Sequence, residues 1–142
     1  VQHVRLVGLA VSLSAVAVAL SGCSVIGAFT PHVDSAIYAD AKEFTASATS
    51  AFGSPTFLPD DATIIRVDYD TQGKGAILTY TSKTHFKAGT CTAATKMLKP
   101  DIQDSWWPSA GVPAQGVSCP GGWTAFAAGD QIYASTLTSK VK

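Results

Sequence analysis

Thr63-Ile64-Ile65-Arg66-Val67-Asp68-Tyr69-Asp70 alternates in character with a period of two. In an extended chain, successive side chains leave on opposite faces. Ile65, Val67 and Tyr69 therefore line one face, and Arg66, Asp68 and Asp70 the other. A glycine-rich turn follows, Thr71-Gln72-Gly73-Lys74-Gly75. Beyond it Ala76, Leu78 and Tyr80 alternate with Ile77, Thr79 and Thr81, so the two runs form a β-hairpin. A second hairpin is written near the end of the chain. There Trp123 to Ala128 and residues 131–138 flank Gly129-Asp130, a dipeptide suited to a two-residue turn.

Outward from these hairpins the periodicity changes. Ile37, Ala41, Phe44, Ala48 and Phe52 recur three or four residues apart, the spacing of one helical face. Thr30-Pro31 offers an N-cap followed by proline at N1, and Gly53 with Pro55 offers a stop. Residues 54–62 are a connector. A second, short helix is expected over 90–98, with Thr90 as N-cap, Cys91, Ala94 and Leu98 on one face, and Pro100 as its end. Residues 99–121 are irregular and rich in proline and glycine. The predicted fold is α+β: a small antiparallel sheet of about four strands in two hairpins, with two helices and one disulfide.

The first residues carry a different signal. Residues 1–5 contain one basic side chain, Arg5, and residues 6–20 are an uncharged apolar run of fifteen. That is short for a membrane span, which takes about 20 residues, and fits the core of a signal peptide. The run ends in Leu20-Ser21-Gly22-Cys23. This resembles the lipobox of bacterial lipoproteins, and the Ala/Val/Thr-rich remainder resembles the small envelope lipoproteins of high-GC (actinobacterial-type) Gram-positive bacteria, a family to which no activity attaches. The resemblance implies lipidation of Cys23, with palmitate-type acyl chains, and cleavage before it. Residues 1–22 would then be the signal peptide, 23–35 the lipidated tether, and 36–142 a single domain on the extracytoplasmic face of the cell membrane. Two acyl chains give a stable anchor where one is marginal.

If Cys23 carries lipid, Cys91 and Cys119 are an even pair in an exported chain, which predicts a disulfide. Without residues 1–22 the chain keeps nine basic and ten acidic side chains, a net charge of about −1. A nucleic-acid partner needs a basic face and is not expected.

No catalytic or metal motif stands out, and neither a catalytic residue, a metal nor a cofactor is assigned. His32 and His85 lie in different elements, without zinc-binding spacing, and no Gly-x-Ser-x-Gly is present. Asp68 and Asp70, with Asp60 and Asp61 upstream, read as the solvated face of a strand rather than a cation site. Trp106, Trp107, Trp123 and Tyr133 are the candidates for ligand contact, since aromatic side chains stack on sugars and anchor partners. Tryptophans also fill small cores, and at most one of Trp106 and Trp107 is expected to be exposed. The expected function is a non-catalytic binding or accessory module contacting a cell-wall polymer or an envelope protein. The alternative is a small extracytoplasmic enzyme whose residues converge only in three dimensions.

Overall fold

The structure, a computed structural model, describes residues 32–47 and 50–138. Cys23, its lipobox and the N-terminal helix start lie outside the described residues.

The described chain is mostly β. One antiparallel sheet holds β1 (Val33–Asp40), β2 (Thr63–Asp70), β3 (Ala76–Thr81), β4 (Ala93–Lys96), β5 (Gln115–Cys119), β6 (Trp123–Ala128) and β7 (Gln131–Thr136). Their order in space is β1-β2-β3-β7-β6-β5-β4. Besides the sheet there is one short helix, α1 (Ala41–Ala46), and a 3-10 turn at Ser50–Phe52. The expected α+β fold with four strands and two helices is thereby corrected to a seven-stranded sheet. Both hairpins read from the sequence are present as β2–β3 and β6–β7.

The expected first helix divides at Asp40. Before it, Val33–Asp40 pairs with β2 as an edge strand, Val33 opposite Asp70 and Asp40 opposite Thr63. After it the chain turns helical, because the Asp40 carboxylate accepts the Glu43 N–H and the Glu43 carboxylate accepts the Ala39 N–H. That reciprocal cap starts a helix at Ala41 and at no earlier residue. Ile37 and Phe44 therefore do not share a helical face. Tyr38 is the residue that turns inward, meeting Phe44 edge-on at 5.2 Å.

The expected second helix is also absent. Ala93–Lys96 is an edge strand paired with β5, Ala93 opposite Ser118. The Cys91–Cys119 disulfide, with its Cα atoms 4.4 Å apart, fastens the entry to β4 onto the end of β5. Strand pairing and this covalent tie override a weak helical pattern.

The sheet has two unlike faces. The inner face carries Ile65, Val67, Leu78, Tyr80, Ala125, Ile132, Ala134 and Trp123, buried beneath Phe44, Phe52, Phe57 and Leu58. The outer face is crossed by residues 97–107. Met97 sits against Gly116, where any Cβ would collide with the Met97 sulfur and the Ala125 carbonyl. Leu98 is held at both ends: its N–H donates to Thr124 Oγ1 (3.0 Å) and its carbonyl accepts from Ser135 Oγ (2.7 Å). Pro100 packs at Gly75, whose φ of +140° and close neighbours admit no side chain. A strap thus runs across the outer face and ends in the tryptophan pair.

Candidate functional site

The strap ends in a turn built by Asp104. Its carboxylate accepts hydrogen bonds from the Ser105 N–H and hydroxyl, and its carbonyl accepts from the Trp107 N–H at 3.0 Å. This fixes the backbone that presents Trp106 and Trp107. The same carboxyl hydrogen-bonds to that of Asp68 on β2. Two carboxyl groups can share a hydrogen bond only if one keeps a proton.

Asp68 is the one that keeps it, below about pH 6. Its side chain is 4% exposed, and burial raises its pKa to about 6, with the Ser35 hydroxyl opposing and Asp104 reinforcing the rise. Asp104, whose charged form is favoured by the hydrogen bonds from Asp68 and Ser105, is lowered. Asp70 is buried too, 7% exposed, and its carboxylate accepts the Gln72 N–H in the following turn. The expectation that Asp68 and Asp70 are solvated is thus corrected: both are buried, Asp68 against Ser35 of β1 and Asp104 of the strap, while Arg66 on the same strand face stays exposed. Asp61 serves a local role, accepting from Ser82 Oγ and from the Lys83 and Thr84 N–H groups, which lowers its pKa. Among the described residues no cluster of three or more His, Cys, Asp or Glu side chains could hold a metal.

The aromatic candidates separate into two groups. Trp123 is 1% exposed and packs on Phe57 at 5.9 Å, so it belongs to the inner core. Trp106, Trp107 and Tyr133 are half-buried together on the outer face. Trp107 meets Trp106 edge-on at 6.2 Å and Tyr133 edge-on at 5.9 Å. Phe126 completes the series by stacking on Tyr133 at 5.3 Å, with 24° between the planes. The two are directly opposite across β6 and β7. The two-residue Gly129-Asp130 turn sets that register.

Trp106 and Tyr133 line an open cleft of about 320 Å³ together with Ile64, Arg66, Thr79, Thr81 and Gln131. Such a volume lies near the lower end of the range for small-ligand sites, roughly 300–1,000 Å³. Its floor is an ordered polar network. The Gln131 amide donates to Thr79 Oγ1 and accepts from Thr81 Oγ1 at 3.0 Å, while Thr79 Oγ1 donates to the Ile132 carbonyl at 2.8 Å. One wall is Ile64, at φ +51° and 56% exposed, where the β2–β3 register slips between Thr63 and Arg66. A β-branched residue is strained there, and the bulge aims its side chain outward. Arg66 is the one charged residue among the cleft's lining residues. Arg66, Gln131 and Phe126 were not singled out as candidates, because they become neighbours only through strand pairing and the strap.

A larger hollow of about 560 Å³ lies beside α1, lined by residues including Phe44, Leu58, Asp60 and Lys87. Among the described residues that line it, Phe44 is the one aromatic ring, and none forms a hydrogen-bonded floor like that of Gln131, Thr79 and Thr81. His85 lines neither cavity; its carbonyl accepts the Tyr80 hydroxyl at 2.6 Å. No helix among the described residues is long and apolar enough to cross a membrane. The chain matches no protein-family profile, no curated protein and no solved structure.

Proposed function

We propose that this chain is a cell-envelope lipoprotein, anchored through acyl chains on Cys23, whose outer sheet face binds a sugar-containing polymer of the cell wall without catalysis. The observation that carries the binding reading is the cleft between Trp106 and Tyr133, backed by Trp107 and Phe126 and floored by Gln131, Thr79 and Thr81. Aromatic faces take the apolar side of a pyranose, and amide and hydroxyl groups take its hydroxyls. The anchor reading is supported by the fifteen-residue apolar run ending in Leu20-Ser21-Gly22-Cys23. The disulfide is in keeping with an oxidising, extracytoplasmic setting.

The alternative of glycosidic hydrolysis has less support. Paired carboxylates with opposite pKa shifts are what such chemistry uses, but they must stand roughly 5–9 Å apart around the bond to be cut. Asp68 and Asp104 instead hydrogen-bond to each other, and neither lines the cleft.

Two experiments test the reading. Cys23→Ala should leave residues 1–22 attached and the chain without lipid, as read by mass spectrometry. The intact chain should co-sediment with isolated bacterial cell walls, and Trp106→Ala with Trp107→Ala should reduce the bound fraction about tenfold. Failure of the wild-type chain to sediment with the walls would defeat the binding reading.

A further inference from the structure

We propose that the cleft selects an acidic sugar, a pyranose ring bearing a carboxylate, with Arg66 as the residue that reads the acid. This rests on the glycan-binding reading above and narrows it. Three observations converge on it. First, Trp106 and Tyr133 flank the cleft and Gln131 lies in its floor, so the site has contacts for both the face and the hydroxyls of a ring. Second, no aspartate or glutamate is among the described residues that line the cleft, so none of them neutralises the Arg66 guanidinium or repels an anion. Asp68 and Asp104 are turned to each other, and neither lines the cleft. Third, Arg66 stands opposite Thr79 on β3, and Thr79 stands opposite Tyr133 on β7. Charge, hydroxyl and aromatic ring are thus set side by side across three strands, on a rigid sheet rather than a loop.

A guanidinium suits this task. Its planar fork gives two parallel hydrogen bonds to a carboxylate, and charge-assisted bonds are roughly twice as strong as neutral ones. The chain after Cys23 has a net charge near −1, so no broad positive field gathers anions. Discrimination would come from the one contact.

The test is calorimetric titration of the full chain in detergent with trigalacturonate and, separately, with neutral galactotriose. Trigalacturonate is expected to bind about tenfold more tightly at low salt, with the ratio shrinking as salt screens the exposed contact. Arg66→Gln should bring the ratio close to one. Equal affinities for the two sugars, or a ratio that Arg66→Gln leaves intact, would overturn the acidic preference while leaving glycan binding standing. Binding of neither sugar, with no sedimentation on cell walls, would overturn both. Galactose 6-phosphate gaining more over galactose than trigalacturonate gains over galactotriose would overturn the choice of carboxylate.

Discussion

The two faces of the sheet are written in the same strands, one residue apart, and have opposite chemistry. On β3, Leu78 and Tyr80 go into an apolar core, while Thr79 and Thr81 floor a polar cleft. On β6, Trp123 and Ala125 are core, and Phe126 belongs to the outer aromatic series. The inner face is closed by Phe44, Phe52 and Phe57. The outer face is covered by a strap held through hydrogen bonds, and it stays open where that strap ends. Stability and recognition are thereby divided between faces, and a substitution on one should leave the other's property largely intact.

The largest break in that comparison is expected at Trp123. Trp123→Ala removes a 1%-exposed ring and should cost about 3–5 kcal/mol of unfolding free energy. Trp106→Ala, half-buried on the other face, should cost about 1 kcal/mol and lose binding instead. Urea unfolding of both variants, set against their binding, separates the two faces. An equal loss of stability in the two would contradict the division.

Next in size is the disulfide, which joins Cys91 to Cys119 on the inner side across a sequence separation of 28. Chain entropy gives roughly 3–4 kcal/mol for a loop of this length. Reduction, or Cys91→Ser with Cys119→Ser, should lower the urea midpoint accordingly. A midpoint unchanged by reductant would show that the tie adds nothing to the paired strands.

A smaller effect belongs to the outer face and depends on pH. Asp68 holds its proton more tightly folded, at about 6, than at its ordinary value of 3.8. Its contribution to stability is therefore fully present below the unfolded value and is lost as pH rises through about 6. Asp104, shifted down, acts with the opposite sign and in more acid solution. The strap should thus be tightest near pH 4, and stability should fall from there to pH 7. Asp68→Asn keeps a donor for Asp104 without a charge. It should flatten that slope and stabilise the fold at pH 7 by about 1 kcal/mol. The same slope in wild type and variant would remove Asp68 from the account.

The smallest effect sharpens the comparison at the cleft wall. Glycine at position 64 would relieve the positive φ at little loss of burial, so Ile64→Gly should stabilise by about 0.5 kcal/mol. A clear destabilisation would mean that Ile64 holds more than the wall.

What could be read in advance follows the same division. β2, β3 and β7 are legible because their residues alternate between a more apolar and a more polar face, and β6 because it runs into β7 through a two-residue turn. β1 was not, since Ile37, Ala41 and Phe44 happen to fall at helical spacing across a strand–helix junction that only the Asp40 cap and the pairing with β2 decide. β4 and β5 are short and weakly patterned, and β4 is a strand only because it pairs with β5, which itself lies against β6, a non-local fact with little local trace. Asp68 read as solvated because its cover, the strap at Asp104, lies far along the chain. Trp106, Trp107 and Tyr133 were recognisable as residue types suited to binding. Their separation from Trp123 is a matter of which face each occupies, which for Trp106 and Trp107 no periodicity reveals.

The three tryptophan indole N–H groups give the most direct test. Trigalacturonate and galactotriose would each be titrated into the isotopically labelled full chain while those three resonances are followed by NMR. The account predicts that binding moves Trp106 and Trp107 and leaves Trp123, sealed in the inner core, in place. Movement confined to Trp123 or to residues around the Phe44–Leu58 hollow, with Trp106 and Trp107 unmoved, would contradict it.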